Sequence, residues 1–85
     1  MSFSLRIKAS AAKELERVPR SNRLRISAAI DRLANYPLAG SVLKGDLRGL
    51  RRLRVGDYRI LYEVRNNDLV VLVVRIAHRR EAYRH

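Results

Sequence analysis

The sequence predicts an α+β domain, and three observations carry that prediction. Two consecutive segments near the start have helical spacing. The second half alternates, or runs apolar, between short turn signals. The 85 residues leave room for one unit and contain no linker, repeat or low-complexity stretch. The predicted order is β-α-α-β-β-β. It makes two layers, a helical hairpin packed on a mainly antiparallel four-stranded sheet.

Each element has its own local reason. Residues 3–8 place Phe3, Leu5 and Ile7 on one side and Ser4, Arg6 and Lys8 on the other, the pattern of a half-buried strand. Ser10 is a good N-cap, and Ala11, Leu15 and Val18 follow at helical spacing. Pro19 ends that short helix or opens the next. A second helix is expected over about 21–35, with Ile26, Ile30 and Leu33 on its apolar face and Arg23, Arg25 and Arg32 on the other. Tyr36-Pro37 stops it, and a loop holding Gly40, Gly45 and Gly49 follows. Strands are expected over 50–55, 58–65 and 69–76. Gly56-Asp57 is a two-residue hairpin turn, and Asn66-Asn67-Asp68 marks the second hairpin. The run from Leu69 to Val74 is apolar at every position, as suits a central strand covered on both faces. The hairpins place the last three strands side by side, so the first strand joins an edge beside the fourth. Residues 79–84 have the length for a short C-terminal helix.

Composition narrows the function. The net charge is +11, from 19 Lys+Arg against 8 Asp+Glu. Only Lys8, Lys13 and Lys44 are lysines, so the excess is arginine, whose planar donor fork suits phosphate. Polyanions are the expected partners: nucleic acid, an acidic protein, or both. With no cysteine there is no disulfide and no thiolate metal site, and two histidines are too few for an all-protein zinc site. No metal or cofactor is therefore expected. No secretory h-region precedes the first strand and no apolar run reaches membrane length, so the cytoplasm is the expected location, with no membrane partner.

The hairpin holds the sharpest local signal. If Gly56-Asp57 is the turn, Val55 pairs with Tyr58, Arg54 with Arg59, Leu53 with Ile60 and Arg52 with Leu61. Paired residues share a face. Leu53, Val55, Tyr58, Ile60 and Tyr62 then look like core. The opposite face carries Arg52, Arg54 and Arg59, with Leu61 and Glu63. Arginine directly opposite arginine is unfavourable, and such broken rules tend to mark functional sites. A phosphodiester would relieve the repulsion through charge-assisted hydrogen bonds. The plain alternative is a solvated face whose arginines splay apart.

The tail adds His78, Arg79, Arg80, Tyr83, Arg84 and His85 just past the last strand. His78 is a candidate for proton exchange, and Tyr83 can stack on a base or handle a proton. The plain alternatives are a strand-capping histidine and a tyrosine packed against the sheet.

Three stretches, taken together, go further: "AAKELERV", "LKGDLRGLRRLRVGDYRILYEV" and "VVRIAHRREAYR". Occurring in order and spanning most of the chain, they make it resemble the RelE/ParE superfamily of type II toxin–antitoxin toxins, on the RelE side. The resemblance implies a metal-independent endoribonuclease that cuts mRNA in the ribosomal A site. Arg59 matches an arginine that stabilises the transition state, Arg79 a second catalytic arginine, and Tyr83 the C-terminal tyrosine. Arg52 and Arg54 match basic positions that are lysines in the best-known member. As arginines they stay charged and make a proton-transfer role doubtful. Arg54 is counted among the catalytic set, and Arg51, Arg52 and Arg54 as RNA-binding. His78 stands at a position fit for a general base, and Ala77 replaces the usual glycine before it. Implied partners are a cognate acidic, RelB-like antitoxin, the ribosome with its mRNA, and operator DNA only through the antitoxin complex. ParE relatives share the fold and poison DNA gyrase instead. They usually lack the Arg59, Arg79 and Tyr83 set. A plain basic binding module would explain the charge but not the ordered motifs.

Overall fold

The computed structural model describes residues 2–80. Its elements are β1 (Ser4–Ile7), α1 (Ala9–Glu16), α2 (Arg20–Leu33), β2 (Ser41–Val42), a 3-10 turn (Gly45–Leu47), β3 (Arg51–Val55), β4 (Tyr58–Arg65) and β5 (Val70–His78). One sheet has the order β1-β5-β4-β3-β2. β1 runs parallel to β5, and the other neighbours are antiparallel. The expected α+β class, the helical hairpin on the sheet, and β1 beside the last strand are all present.

Four details differ from the expectation. The sheet has a fifth strand, β2, where the loop returns past β3 and pairs Ser41 with Arg52 and Val42 with Arg51. α1 starts at Ala9, with Lys8 rather than Ser10 at the cap position. Lys8 is still in the ladder, its N–H donating to the Val73 carbonyl at 2.9 Å, and its own carbonyl accepts the first helical bond from Ala12. Strand hands over to helix in one residue, so Ser10 is already inside the first turn. β5 runs on to His78, because Tyr58 at the far end of β4 pairs with it. Finally, β5 carries a bulge: Leu61 faces Arg75 but Tyr62 faces Val73, leaving Val74 as the extra residue.

The core lies between the helices and one sheet face. Ala11, Val18, Ile26, Ile30 and Leu33 meet Ile60, Tyr62, Val71, Val73 and Ile76. Pro19 suits the head of α2, where its missing N–H costs nothing, and its carbonyl accepts from Arg23 at 2.8 Å. α1 also completes the sheet. β1 pairs with Val70, Val71, Leu72 and Val73, so among the described residues the rest of β5 has no strand on that side. There the Glu14 carboxylate accepts the Ile76 N–H at 2.9 Å and lies 3.7 Å from the Arg75 guanidinium. Glu14→Ala orphans that part-buried amide and is expected to cost about 1–3 kcal/mol in urea unfolding.

A second pin holds the loop after α2. The Tyr62 hydroxyl accepts the Gly40 N–H and donates to the Pro37 carbonyl, both at 2.8 Å, and Arg51 donates to the Gly40 carbonyl at 2.7 Å. Burial pushes the Tyr62 phenol above the ordinary value of 10.0, against the opposing pull of the Gly40 N–H and the Arg51 charge. Because the folded value is the higher one, the unfolded phenol ionises first. The contribution is complete below pH 10 and is lost as pH rises through the folded value. Alkaline unfolding is therefore expected to steepen above about pH 10, and Tyr62→Phe to flatten that limb while lowering neutral stability by about 1–3 kcal/mol.

Candidate nucleic-acid site

The β3–β4 register is the one expected from the turn: Arg54 faces Arg59, Leu53 faces Ile60 and Arg52 faces Leu61. Ile60 and Tyr62 are buried under the helices, with Leu53, Val55 and Tyr58 packed against the same cluster. β5 extends the opposite face, since Ala77 pairs with Arg59 and Arg75 with Leu61. Two rows then cross the strands away from the core. One reads Arg54, Arg59, Ala77, and the next reads Arg52, Leu61, Arg75. Ala77 puts only a methyl beside Arg59 and is itself buried, at 6% exposed. Glu63, on the same face, accepts a hydrogen bond from Arg65 at 2.9 Å.

The repulsion between Arg54 and Arg59 is eased by backbone dipoles. The Arg59 guanidinium folds back toward the turn, 3.2 Å from the Tyr58 carbonyl and 3.4 Å from that of Gly56. Arg79 comes to the same turn. Its N–H donates to the Asp57 carbonyl at 2.7 Å, and its guanidinium stands 3.8 Å from the Asp57 carboxylate. Both side chains are more than half exposed, so this ion pair is worth no more than about 1 kcal/mol. It biases Arg79 toward the hairpin tip without holding it there firmly. Asp57 is thus more than a turn residue, and its place as an acid inside a basic hairpin is the signal for that contact in the sequence. Arg25 of α2 also reaches the tip, where a Cβ on Gly56 would lie 3.5 Å from its guanidinium.

The remaining candidates are dispersed. His78 pairs with Tyr58 and stacks on it edge to face, with ring centroids 5.6 Å apart. Pairing puts it on the helix side of the sheet, so it reaches the rim from the face opposite Arg59. Its Nδ1 lies 3.4 Å from the Arg80 N–H. Arg51 pairs with Tyr62, again on the helix side, with its guanidinium on the Gly40 carbonyl rather than in the arginine rows. Tyr83 and the end of the expected C-terminal helix lie outside the described residues; Arg79 and Arg80 form a turn. Among the described residues no three His, Cys, Asp or Glu gather into a metal cage, and no helix is long and apolar enough to cross a membrane.

Comparison with known proteins places this arrangement. The family model "ParE toxin of type II toxin-antitoxin system, parDE" matches residues 5–83. Toxin RelE of Mycobacterium tuberculosis is 34% identical over 88 residues, covering 96% of this chain and 87% of its own length. Toxin RelG of the same organism is 30% identical over 86 residues, covering 99% of each. The archaeal RelE–RelB complex from Pyrococcus horikoshii superposes with a TM-score of 0.78 at 28% identity, over 96% of this chain and 100% of that one. With matches of this extent in sequence and in fold, the chain belongs to the ParE toxin family of type II toxin–antitoxin systems and carries the RelE-like fold.

Proposed function

We propose that this toxin is an endoribonuclease that cleaves mRNA on translating ribosomes and is neutralised by an acidic antitoxin. The observation that carries the reading is the set of arginine rows. Arg54 faces Arg59 with Arg52 and Arg75 one row away, and Arg79 is drawn to the adjoining turn. A phosphodiester seated there accepts charge-assisted hydrogen bonds and relieves like-charge repulsion at once.

In the proposed step the 2′-OH attacks the adjacent phosphorus in line. The 2′-O–P bond forms as the P–O5′ bond breaks, giving a 2′,3′-cyclic phosphate and a 5′-OH. A base takes the 2′ proton, and the leaving oxygen gains one. Arg54, Arg59 and Arg79 stabilise the extra charge on the phosphorus centre. His78 and Tyr83 are the groups assigned to the proton, with Tyr83 also able to stack on a base. Arg52 binds the RNA backbone, and Arg51 serves as a clamp on the loop. No metal takes part in this scheme. The ribosome supplies substrate positioning that so small a domain does not, which puts the protein in the cytoplasm. The Pyrococcus relative is a complex with RelB, and the partner proposed here is of the same kind, reaching operator DNA only as part of the complex.

The test is cleavage of a defined mRNA by purified protein with and without programmed ribosomes. Cleavage only with ribosomes is expected, and rapid cutting of naked RNA would overturn ribosome dependence. The antitoxin is identified as the fragment of the source genome whose co-expression restores growth. A second reading, gyrase poisoning without nuclease chemistry, is favoured by one observation: the matching family model is that of ParE.

A further inference from the structure

The Gly56-Asp57 turn collects positive charge from three elements. Arg59 of β4 lays its guanidinium toward the Gly56 and Tyr58 carbonyls. Arg25 of α2 brings a second guanidinium to the same glycine, 3.5 Å from where a Cβ would stand. Arg79, one residue past β5, brings the third. Like charges around one turn repel, and an arginine has ample rotamer freedom with which to move away.

One acid stands among them. The Asp57 carboxylate lies 3.8 Å from the Arg79 guanidinium. The other ion pairs among the described residues, Glu14 with Arg75 and Glu63 with Arg65, lie elsewhere on the sheet. Asp57 meets Arg79 twice. Its carbonyl accepts the Arg79 N–H at 2.7 Å, which fixes the root of the side chain beside the turn. Its carboxylate biases where the head of that side chain goes.

The turn itself does not require the charge. Its left-handed residue is Gly56, with φ +59°, and Asp57 has an ordinary negative φ. Asparagine fits the same backbone and keeps the same carbonyl. What asparagine lacks is the negative charge facing Arg79.

We infer that Asp57 is a positioning residue for Arg79: its carboxylate keeps that guanidinium at the hairpin tip, beside Arg59, against the repulsion of Arg59 and Arg25. Asp57 takes no proton and acts only through Arg79. A guanidinium already beside the arginine rows loses less freedom when it engages a phosphate, which is the gain of preorganisation. The pair is exposed, so the effect is modest. The inference rests on the ribonuclease reading above.

The test is Asp57→Asn in the full chain, read in two ways. In single-turnover cleavage on saturating programmed ribosomes, the rate is expected to fall about threefold to fivefold, the span open to one exposed pair. The substitution removes a negative charge, so affinity for RNA is not expected to fall, and the loss lies in the rate rather than in KM. In an Arg79→Ala background the same substitution should cost nothing more. Asp57→Glu should recover part of the rate. By nitrogen relaxation, the order parameter of the Arg79 Nε–H should drop in Asp57→Asn. Exchange protection of the Arg79 amide should stay, because the carbonyl it meets is still there. A full or raised rate overturns the inference. So does an equal loss in the Arg79→Ala background, which would assign the effect to the turn. If the unmodified protein cleaves nothing on ribosomes, the ribonuclease reading fails by itself. An unchanged Arg79 order parameter overturns the positioning independently of that reading.

Discussion

Arg59→Ala is expected to slow ribosome-dependent mRNA cleavage by about two to three orders of magnitude, the loss seen when one preorganised charge stabiliser is removed. The residue sits in the middle of the row Arg54, Arg59, Ala77, flanked by an arginine on one strand and by a small, buried alanine on the other. Nothing in the core depends on it, so unfolding should be unchanged and the loss should appear in the single-turnover rate. Arg59→Lys should recover only part of the rate, because an ammonium cannot offer two parallel donors to a phosphate. Arg79→Ala should lose a similar amount, and the double variant less than the sum, since both act on one centre. A full-rate Arg59→Ala protein would remove the arginine rows from the mechanism.

Gly40→Ala is expected to be the most damaging small substitution in the fold. A Cβ at that position would lie 2.7 Å from the Arg52 carbonyl and 2.8 Å from the Tyr62 hydroxyl. Neither can yield cheaply: the first belongs to a paired strand and the second is held by Pro37 and Gly40. Overpacking and a displaced hydrogen bond together cost on the order of 3 kcal/mol. For a domain of this size that lowers Tm by roughly 10–20 °C. Thermal unfolding measures it directly, and a fall of under about 2 °C would show that the loop is free to move aside.

The hairpin was legible because its information is local. A two-residue turn fixes register, register fixes faces, and the arginine rows follow by counting in twos. The same counting puts Arg51 with Leu53 on the core side, although its charge alone suggests RNA. Features that depend on distant partners were not legible. Tyr62 meets Gly40 and Pro37 across more than twenty residues, and no pattern near any of them announces the contact. β2 is two exposed residues with no alternation to read. The bulge at Val74 sits in an unbroken apolar run, which erases the period that would have betrayed it. Ser10 has the chemistry of a cap, but the β1 ladder runs through Lys8 and leaves no extended residue for it to occupy. His78 looked like a residue beyond the strand, because where β5 ends depends on the length of β4. The pairing with Tyr58 places it inside the strand, on the Tyr58 side of the sheet and opposite the arginine rows.

The most direct test of the central claim is to induce the protein in translating cells and map RNA 5′ ends across the transcriptome. The arginine-row account predicts new 5′ ends inside translated reading frames, in phase with codons, that disappear in Arg59→Ala and Arg79→Ala. Growth arrest with intact mRNA and broken chromosomal DNA would contradict it and point to gyrase.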